Sequence, residues 1–309
     1  MKTKKTSALM IATVLFGTIL TISCSKTEVA TLPAIGGYNS SNDVAAANLL
    51  AHWTFDGTNN ERISGTAPLK ATNAAFTSTT ASTQRQALQL TSGYLVFPSI
   101  PALNTANAIP NVTVSTWVNV NNNAKTVSSV FALTQAQATQ TDWNQGPINM
   151  YIETGKPLTV NDTLVFHSAF HTYSGGNYNL GGDNINDYGM RGTDFQTVKG
   201  ANKWVHYVMV YDGAGSNIDI YANGIRVSNN NFRNRTTGTP PAGIGSIIMA
   251  PPTQVVMGSM PNSDAGYTKS AAQTWQGLFT GSIDEVRVYS KALSATDIGY
   301  LYQLELAGR

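Results

Sequence analysis

Gly281-Ser-Ile-Asp-Glu-Val-Arg-Val-Tyr-Ser-Lys-Ala-Leu-Ser294 is the stretch of sequence that decides the fold of this chain. Alternation along a β-strand places Asp284, Val286 and Val288 on one side of the strand. The two valines mark that side as the core side, so we expect Asp284 to point inward. A carboxylate in such a position needs hydrogen bonds or a cation, which makes Asp284 a candidate site residue.

A short helix is predicted directly after this strand. Ser294 and Asp297 have the spacing of a capping box, in which two side chains satisfy the first backbone N–H groups of a helix. Ile298, Leu301 and Tyr302 then share one face of that helix, which favours packing of the helix against a sheet.

Further segments along the chain combine with this stretch into an ordered set. Together they resemble LamG-like domains, which are concanavalin A-like jelly rolls, over roughly residues 48–305. The matching segments, each similar to a strand or hairpin of that family, are Leu49–Gly57, Ala87–Pro98, Val112–Val118, Trp204–Gly213, Ile218–Val227 and Gly281–Ser294.

The resemblance implies an all-β fold, a two-sheet antiparallel jelly-roll sandwich with a short C-terminal helix. It also implies a non-catalytic binding module, and it favours a carbohydrate ligand, as in glycan capture or polysaccharide utilisation. A protein-binding adhesin or assembly module is the alternative, because LamG-like domains serve both uses. A diverged polysaccharide hydrolase is a third interpretation.

Composition agrees with one β-sandwich and argues against a nucleic-acid-binding surface. The chain has 309 residues, of which 42% are hydrophobic and 12% are charged. The formal net charge is +2, but three lysines lie in residues 1–23, so removal of that segment leaves −1. A strongly basic surface is therefore not predicted. Asn223-Gly224, between two apolar segments, predicts a tight hairpin.

The N-terminus is typical of a lipoprotein signal peptide. Lysines precede an apolar run that is too short to span a membrane comfortably, and Leu20-Thr-Ile-Ser-Cys24 resembles a bacterial lipobox. We therefore expect a signal peptide over residues 1–23, a lipidated Cys24 with a flexible tether over 24–47, and the folded domain over 48–309. This predicts a protein held in the cell envelope by its lipid, at the outer membrane or cell surface. An ordinary secretory signal with a coincidental cysteine is the alternative.

Asp56, Asn59 and Asp284 are candidate calcium ligands. In LamG-like domains the first and last strands are antiparallel neighbours, which would bring Asp56 and Asp284 to the same end of the sheet. Two nearby carboxylates repel each other unless a proton or a cation lies between them. Ca²⁺ takes carboxylate and amide oxygens as ligands, so we expect a structural calcium ion there. The alternative is that each aspartate caps a turn through backbone N–H groups.

A segment rich in aromatic and amide side chains, within residues 135–199, is the candidate ligand-binding site. Sugar rings stack on aromatic faces, and their hydroxyls pair with Asn and Asp side chains. The alternative is a solvent-facing loop whose tyrosines pack back on the sheet. The predicted ligand-binding residues are Trp143, Asn144, Tyr173, Tyr178, Asp183, Asn184 and Tyr188.

Signals for catalysis are weak. The Glu-x-Asp-x-x-Glu pattern of laminarinase-type glucanases does not occur in the sequence. Asp284 and Glu285 are neighbours, so strand alternation predicts that they lie on opposite faces and do not grip a substrate together. His167 and His171 share a face of a predicted strand but would lie about 13 Å apart, which is too far for one metal ion. We therefore predict no enzymatic activity.

Overall fold

The computed structural model describes residues 32–78, 86–104, 108–122, 125–153, 162–174, 177–186 and 196–309. The chain divides into two units, Met1–Pro33 and Ala34–Arg309, and every strand named below belongs to the second. Cys24 and Tyr188 lie outside the described residues. Within the described ranges, no helix is both long enough and apolar enough to cross a membrane.

Strands make up most of the described elements, as alternation and composition predict. In chain order they are β1 (Leu49–Trp53), β2 (Lys70–Thr77), β3 (Ala87–Val96), β4 (Ala108–Ile109), β5 (Asn111–Val120), β6 (Val127–Gln135), β7 (Ile148–Glu153), β8 (Val165–Ser174), β9 (Asn177–Ile185), β10 (Trp204–Asp212), β11 (Asn217–Ala222), β12 (Ile225–Arg226), β13 (Thr236–Thr237), β14 (Ala242–Gly243), β15 (Ile247–Ile248), β16 (Thr253–Met257), β17 (Gln276–Gly277) and β18 (Phe279–Tyr289). Helix α1 spans Ala295–Leu306, and short 3₁₀ helices span Ser41–Asp43, Ala46–Asn48, Pro101–Leu103, Asn230–Phe232 and Ser263–Ala265.

The predicted all-β sandwich with a C-terminal helix is confirmed. The main path of the sheet runs β12-β11-β10-β5-β18-β3-β16-β6-β7-β8-β9. It curls so that its two halves pack face to face, with the Phe166 ring of β8 4.5 Å from the Tyr207 ring of β10. The hydrogen-bond ladder is continuous between the halves, because β16 pairs with both β3 and β6. The two predicted sheets are therefore the two layers of a single, continuously hydrogen-bonded sheet.

The chain closes as predicted, with the first and last strands side by side. β1 pairs antiparallel with β18, and Trp53 lies opposite Val286. The predicted hairpin is also present between β11 and β12. Asn223 and Gly224 both have positive φ, 51° and 77°, and their neighbours Ala222 and Ile225 pair across the turn.

A β-bulge in β18 overturns the predicted orientation of Asp284. Glu285 has a φ of 48°, and the pairing of β18 with β5 shifts register between Asp284 and Arg287. The extra residue resets the alternation, so that Ile283, and not Asp284, shares the core side with Val286 and Val288. Asp284 pairs with Trp117 on the face that carries α1, which is the side opposite to the one predicted.

Arg287 attaches the surrounding segments to this face through a buried network. Its guanidinium donates to Glu305 of α1 at 2.8 Å and to Glu285 at 2.6 Å. It also donates to Asn42 at 2.9 Å and to Ser41 at 3.0 Å. Because Arg287 is only 1% exposed, each of these partners offsets part of the cost of burying its charge.

The folded unit begins earlier than the boundary at residue 48 that the composition suggests. Ile35 and Tyr38 form a β-bridge, and the Tyr38 hydroxyl donates to Asp297 of α1 at 3.0 Å. Val44 is buried among apolar side chains of α1 and the sheet. Residues 34–47 therefore pack on the sandwich, because their few apolar side chains and Ser41 find partners there.

Candidate functional site

Three of the predicted ligand-binding residues meet in one groove of about 370 Å³. These are Trp143 and Asn144, which precede β7, and Asp183 of β9. The groove lies on the face of β7, β8 and β9 that turns away from the main core. The lining residues, which define what we call the aromatic groove, are Trp143, Asn144, Tyr151, Ala169, Phe170, His171, Gly181, Gly182 and Asp183.

Strand register assembles the floor of the aromatic groove. Tyr151 of β7 lies directly opposite His167 of β8, so their side chains point to the same face. Asp183 of β9 pairs with Ala169, which places it diagonally across from His167 on that face. Diagonal neighbours are within reach of long or aromatic side chains. Three successive strands therefore bring a tyrosine, a histidine and an aspartate into one cluster.

The cluster is held by short polar contacts. Nδ1 of His167 lies 2.5 Å from Oδ2 of Asp183, and the Tyr151 hydroxyl donates to the same oxygen at 3.2 Å. On its other side, Nε2 of His167 lies 3.5 Å from Oε1 of Glu153. The rings of Tyr151 and His167 stack with centroids 4.4 Å apart and planes 13° apart.

These contacts determine the charge of His167. Burial alone would lower the pKa of the imidazole, but the Asp183 carboxylate and then Glu153 outweigh burial and raise the pKa to about 9. At neutral pH His167 is therefore an imidazolium that donates to Asp183. His171, four residues along the same strand face, behaves differently, because burial lowers its pKa.

Two tryptophans form an aromatic rim beside this floor. Trp143, from the loop between β6 and β7, meets the Tyr151 ring edge-on at 5.8 Å and the Trp275 ring at 5.1 Å. The backbone of Trp143 is anchored through its N–H to Asp142 at 2.7 Å and through its carbonyl to Gln140 at 3.2 Å. Both tryptophans are half-buried, so part of each ring remains accessible to a ligand.

Of the other predicted residues whose side chains the structure describes, Tyr173 and Asn184 are not among those that line the aromatic groove. Tyr173 and Tyr178 are backbone partners near the turn between β8 and β9. Asn184 is buried on the core side, where its amide donates to the carbonyl of Ile218 at 2.6 Å. Tyr188 was predicted with them and is not among the described residues.

Four residues of this region were not predicted from the sequence, namely Tyr151, His167, His171 and Trp275. Tyr151 and His171 lie on strands that the alternation predicts, and they occupy the parity that does not face the core. Their position on the strand face that points away from the core was the one signal in the sequence that could have identified them. Trp275 comes from a distant segment, just before β17 pairs with the start of β6, and strand periodicity gives no indication of this contact.

The candidate calcium ligands lie beyond the end of β1, where Asp56 and Asn59 follow Trp53 and Asp284 of β18 lies two residues before Val286, the partner of Trp53. Asp284 is fully buried; its Oδ1 accepts from the Glu285 N–H at 2.9 Å, while Oδ2 has no hydrogen-bond partner among the described residues. Burial, followed by the carboxylates of Glu285, Glu305 and Asp56, raises the pKa of Asp284 to about 9.

The other two candidate calcium ligands, Asn59 and Asp56, differ in burial and in hydrogen bonding. Oδ1 of Asn59 is buried and lacks a hydrogen-bond partner within the described part of the chain. Asp56 is exposed, and one of its oxygens accepts from the Gln86 N–H at 3.0 Å. Across the described ranges, no three His, Cys, Asp or Glu side chains cluster as a metal site, so a cation here would depend on amide and backbone oxygens as well.

Comparison with known proteins establishes the fold and no family. Neither a protein-family model nor a curated protein matches the sequence. Domain 4 of AbnA, a GH43 extracellular arabinanase from Geobacillus stearothermophilus solved in complex with arabinotriose, is 17% identical with a TM-score of 0.48, over 83% of this chain and 98% of that one.

Two botulinum neurotoxin domains are also similar in structure. The binding domain of serotype G is 11% identical with a TM-score of 0.52, over 84% of this chain and 51% of its own. The receptor binding domain of botulinum neurotoxin D is 15% identical with a TM-score of 0.50, over 86% and 54%. This chain therefore spans about half the length of the neurotoxin domains. At these identities the likeness shows the fold alone.

The charge of His167 can be measured directly. We predict that NMR titration of its ring protons gives a pKa of about 9, and that Asp183→Asn lowers this pKa because burial then acts with less opposition. The stabilisation from this charge, about 3 kcal/mol, is fully present below pH ~6.5 and is lost as the pH rises through about 9. Asp212→Asn, which makes the same charge change at the end of β10, should leave the titration unchanged. A His167 that titrates near 6.5 contradicts the charged pair.

Proposed function

We propose that this protein is a non-catalytic binding module whose aromatic groove captures a glycan. The observation that carries the proposal is the convergence of Trp143, Asn144 and Asp183, three residues predicted from sequence composition, in one groove. Its volume of about 370 Å³ lies within the range of about 300–1,000 Å³ that is typical of small-molecule sites.

The chemistry of the groove suits a sugar ring. The accessible parts of Trp143 and Trp275 offer apolar faces to the C–H groups of a pyranose or furanose. The Asp183 carboxylate and the Asn144 amide offer acceptors and donors for ring hydroxyls. Because the tyrosine and histidine beneath them are held by stacking and hydrogen bonds, little side-chain ordering is required when a ligand binds.

Truncation of a rim tryptophan tests whether the aromatic groove is the ligand-binding site. We predict that Trp143→Ala weakens binding to neutral polysaccharides at least about fivefold, since a stacked aromatic anchor commonly contributes about 1 kcal/mol or more. Affinity gel electrophoresis in arabinan, galactan, xylan and mannan measures the retardation. Trp204→Ala serves as the matched control, because Trp204 is also half-buried but lies on β10.

Three outcomes oppose the proposal in different ways. Equal retardation of the wild-type protein and Trp143→Ala contradicts the groove as the binding site. Release of reducing sugar from the gels points to the diverged hydrolase. Retention of an outer-membrane protein with no retardation in any gel points to the adhesin.

We also propose that the binding module is displayed from the cell envelope by a lipid on Cys24. The support is the sequence of residues 1–24, with its lysines, apolar run and lipobox-like ending. If this is correct, the full-length wild-type protein fractionates with membranes and Cys24→Ser does not. A Cys24→Ser variant that stays with the membranes contradicts the lipid anchor.

A structural calcium ion is the third element of the proposal. The buried oxygens of Asp284 and Asn59 that lack hydrogen-bond partners are of the chemical type that Ca²⁺ prefers, and Asp56 would add a second carboxylate. Bound there, calcium would replace the proton on Asp284 and cancel the repulsion between the two aspartates.

Chelation tests the calcium site. We predict that EDTA lowers the Tm of the wild-type protein and that added CaCl₂ restores it. Because Asp284 is protonated at neutral pH without a cation, Asp284→Asn should leave the Tm in EDTA nearly unchanged while it abolishes the response to calcium. Dialysed protein that contains no calcium and has the same Tm with and without EDTA rules the site out.

A further inference from the structure

The two layers of the sandwich leave a cavity of about 180 Å³ between them, near the start of β5 and the end of β18. One wall comes from these two strands, and the opposite wall comes from β6 and β7. The Pro101–Leu103 helix and the segment around Ile109 complete the lining. The buried aliphatic and methionine side chains of the lining, each at most 5% exposed, are Leu103, Val112, Leu133, Ile148, Met249 and Val288.

The side chains of the cavity offer few polar groups to a ligand or to water. None of the lining residues that the structure describes is charged, and only Asn111, Tyr289 and Ser290 have polar side chains. Oδ1 of Asn111 already accepts from the Gly213 N–H at 3.3 Å, and the Ser290 hydroxyl donates to the Asn48 carbonyl at 3.3 Å. Tyr289 packs in the apolar cluster of α1, on the opposite face of the sheet. Because a buried water needs two to four polar partners, this lining favours hydrocarbon over water.

Backbone groups of the lining are paired as well. The Leu103 N–H donates to the carbonyl of Ile100 at 2.9 Å, and the Leu103 carbonyl accepts from the Thr253 hydroxyl at 3.0 Å. The Pro110 carbonyl accepts from the Gly213 N–H at 2.9 Å. A polar molecule that entered the cavity would therefore give up hydrogen bonds to water and find few partners in exchange.

The lining runs from exposed side chains to fully buried ones. Ala102, Pro110 and Ser290 are exposed, whereas Leu50 and Ile109 are half-buried. These residues form a mouth through which a small molecule reaches the buried floor. The cavity shares none of its lining residues with the aromatic groove, so the two are separate sites.

The volume of the cavity sets the size of the molecule that it holds. An apolar cavity of roughly 150 Å³ stays dry and binds benzene or xenon. We infer that this cavity is a second binding site, which takes one uncharged hydrocarbon group about the size of a benzene ring. The inference is independent of the proposed glycan-binding function, because the glycan would occupy the other site.

Titration of ¹³C-methyl-labelled protein with benzene tests the site. The methyl signals of Ile148 and Met249 should shift in a saturable manner, because both side chains line the cavity. The Tm should rise by about 3 °C at a benzene concentration about ten times the Kd. Pyridine in its neutral form has nearly the same size and one acceptor nitrogen. It should bind at least about tenfold more weakly, since this nitrogen would lose its hydrogen bond to water.

Four variants locate the bound ring. Val112→Phe and Leu133→Phe fill the cavity from opposite walls, so each should abolish the shifts induced by benzene, and one serves if the other fails to fold. Val114→Ile is the matched control, because Val114 lies on the same face of β5 but does not line the cavity. It should retain the shifts. Trp143→Ala should also retain them, which separates the cavity from stacking of benzene in the aromatic groove.

Three results would overturn the inference. Methyl signals and a Tm that do not respond to benzene show that the protein itself fills the cavity. Shifts that persist in folded Val112→Phe and Leu133→Phe, or that disappear in Trp143→Ala, place the bound ring elsewhere. Equal affinities for benzene and pyridine contradict selection by an apolar lining.

Discussion

Strand alternation across β7, β8 and β9 is the constraint on which both the core and the aromatic groove depend. One parity places Met150, Phe166 and Phe170 in the main core. The other parity places Tyr151 and His167 on the opposite face, where they meet Asp183. A slip of one residue would exchange the two sets and cost the core its apolar side chains. Packing of the core therefore fixes the geometry of the groove, and the groove needs no separate scaffold.

Strand alternation is interrupted in β18, where a β-bulge at Glu285 changes which side chains face the core. The positive φ of Glu285 adds one residue to β18, which turns Asp284 towards the face that carries α1. On that face the Trp117 indole donates to Glu305 at 2.8 Å and stacks on Tyr302 at 5.6 Å. Burying charges costs stability unless they are paired, and in this network the Arg287 guanidinium pairs with both Glu285 and Glu305.

Much of the fold was predictable from sequence, because its signals are local. The antiparallel first and last strands, the Asn223-Gly224 turn and the capped helix follow from alternation, turn chemistry and the Ser294 cap. The bulge was not predictable, since nothing in the residue types marks Glu285 for a positive φ. The residues that meet in the candidate groove were predictable only in part: composition singled out Trp143 and Asp183, whereas the positions of Tyr151 and Trp275 depend on strand register and on a contact between distant segments.

The proposed function depends on where a ligand binds, and the five tryptophans report on that directly. Indole N–H signals of the ¹⁵N-labelled protein, assigned by single Trp→Phe variants, can be followed during titration with a neutral oligosaccharide. We expect the Trp143 and Trp275 signals to shift together in a saturable manner, while those of the buried Trp53 and Trp117 stay in place. Saturable shifts confined to Trp204, or to signals outside the groove, would contradict the proposed function.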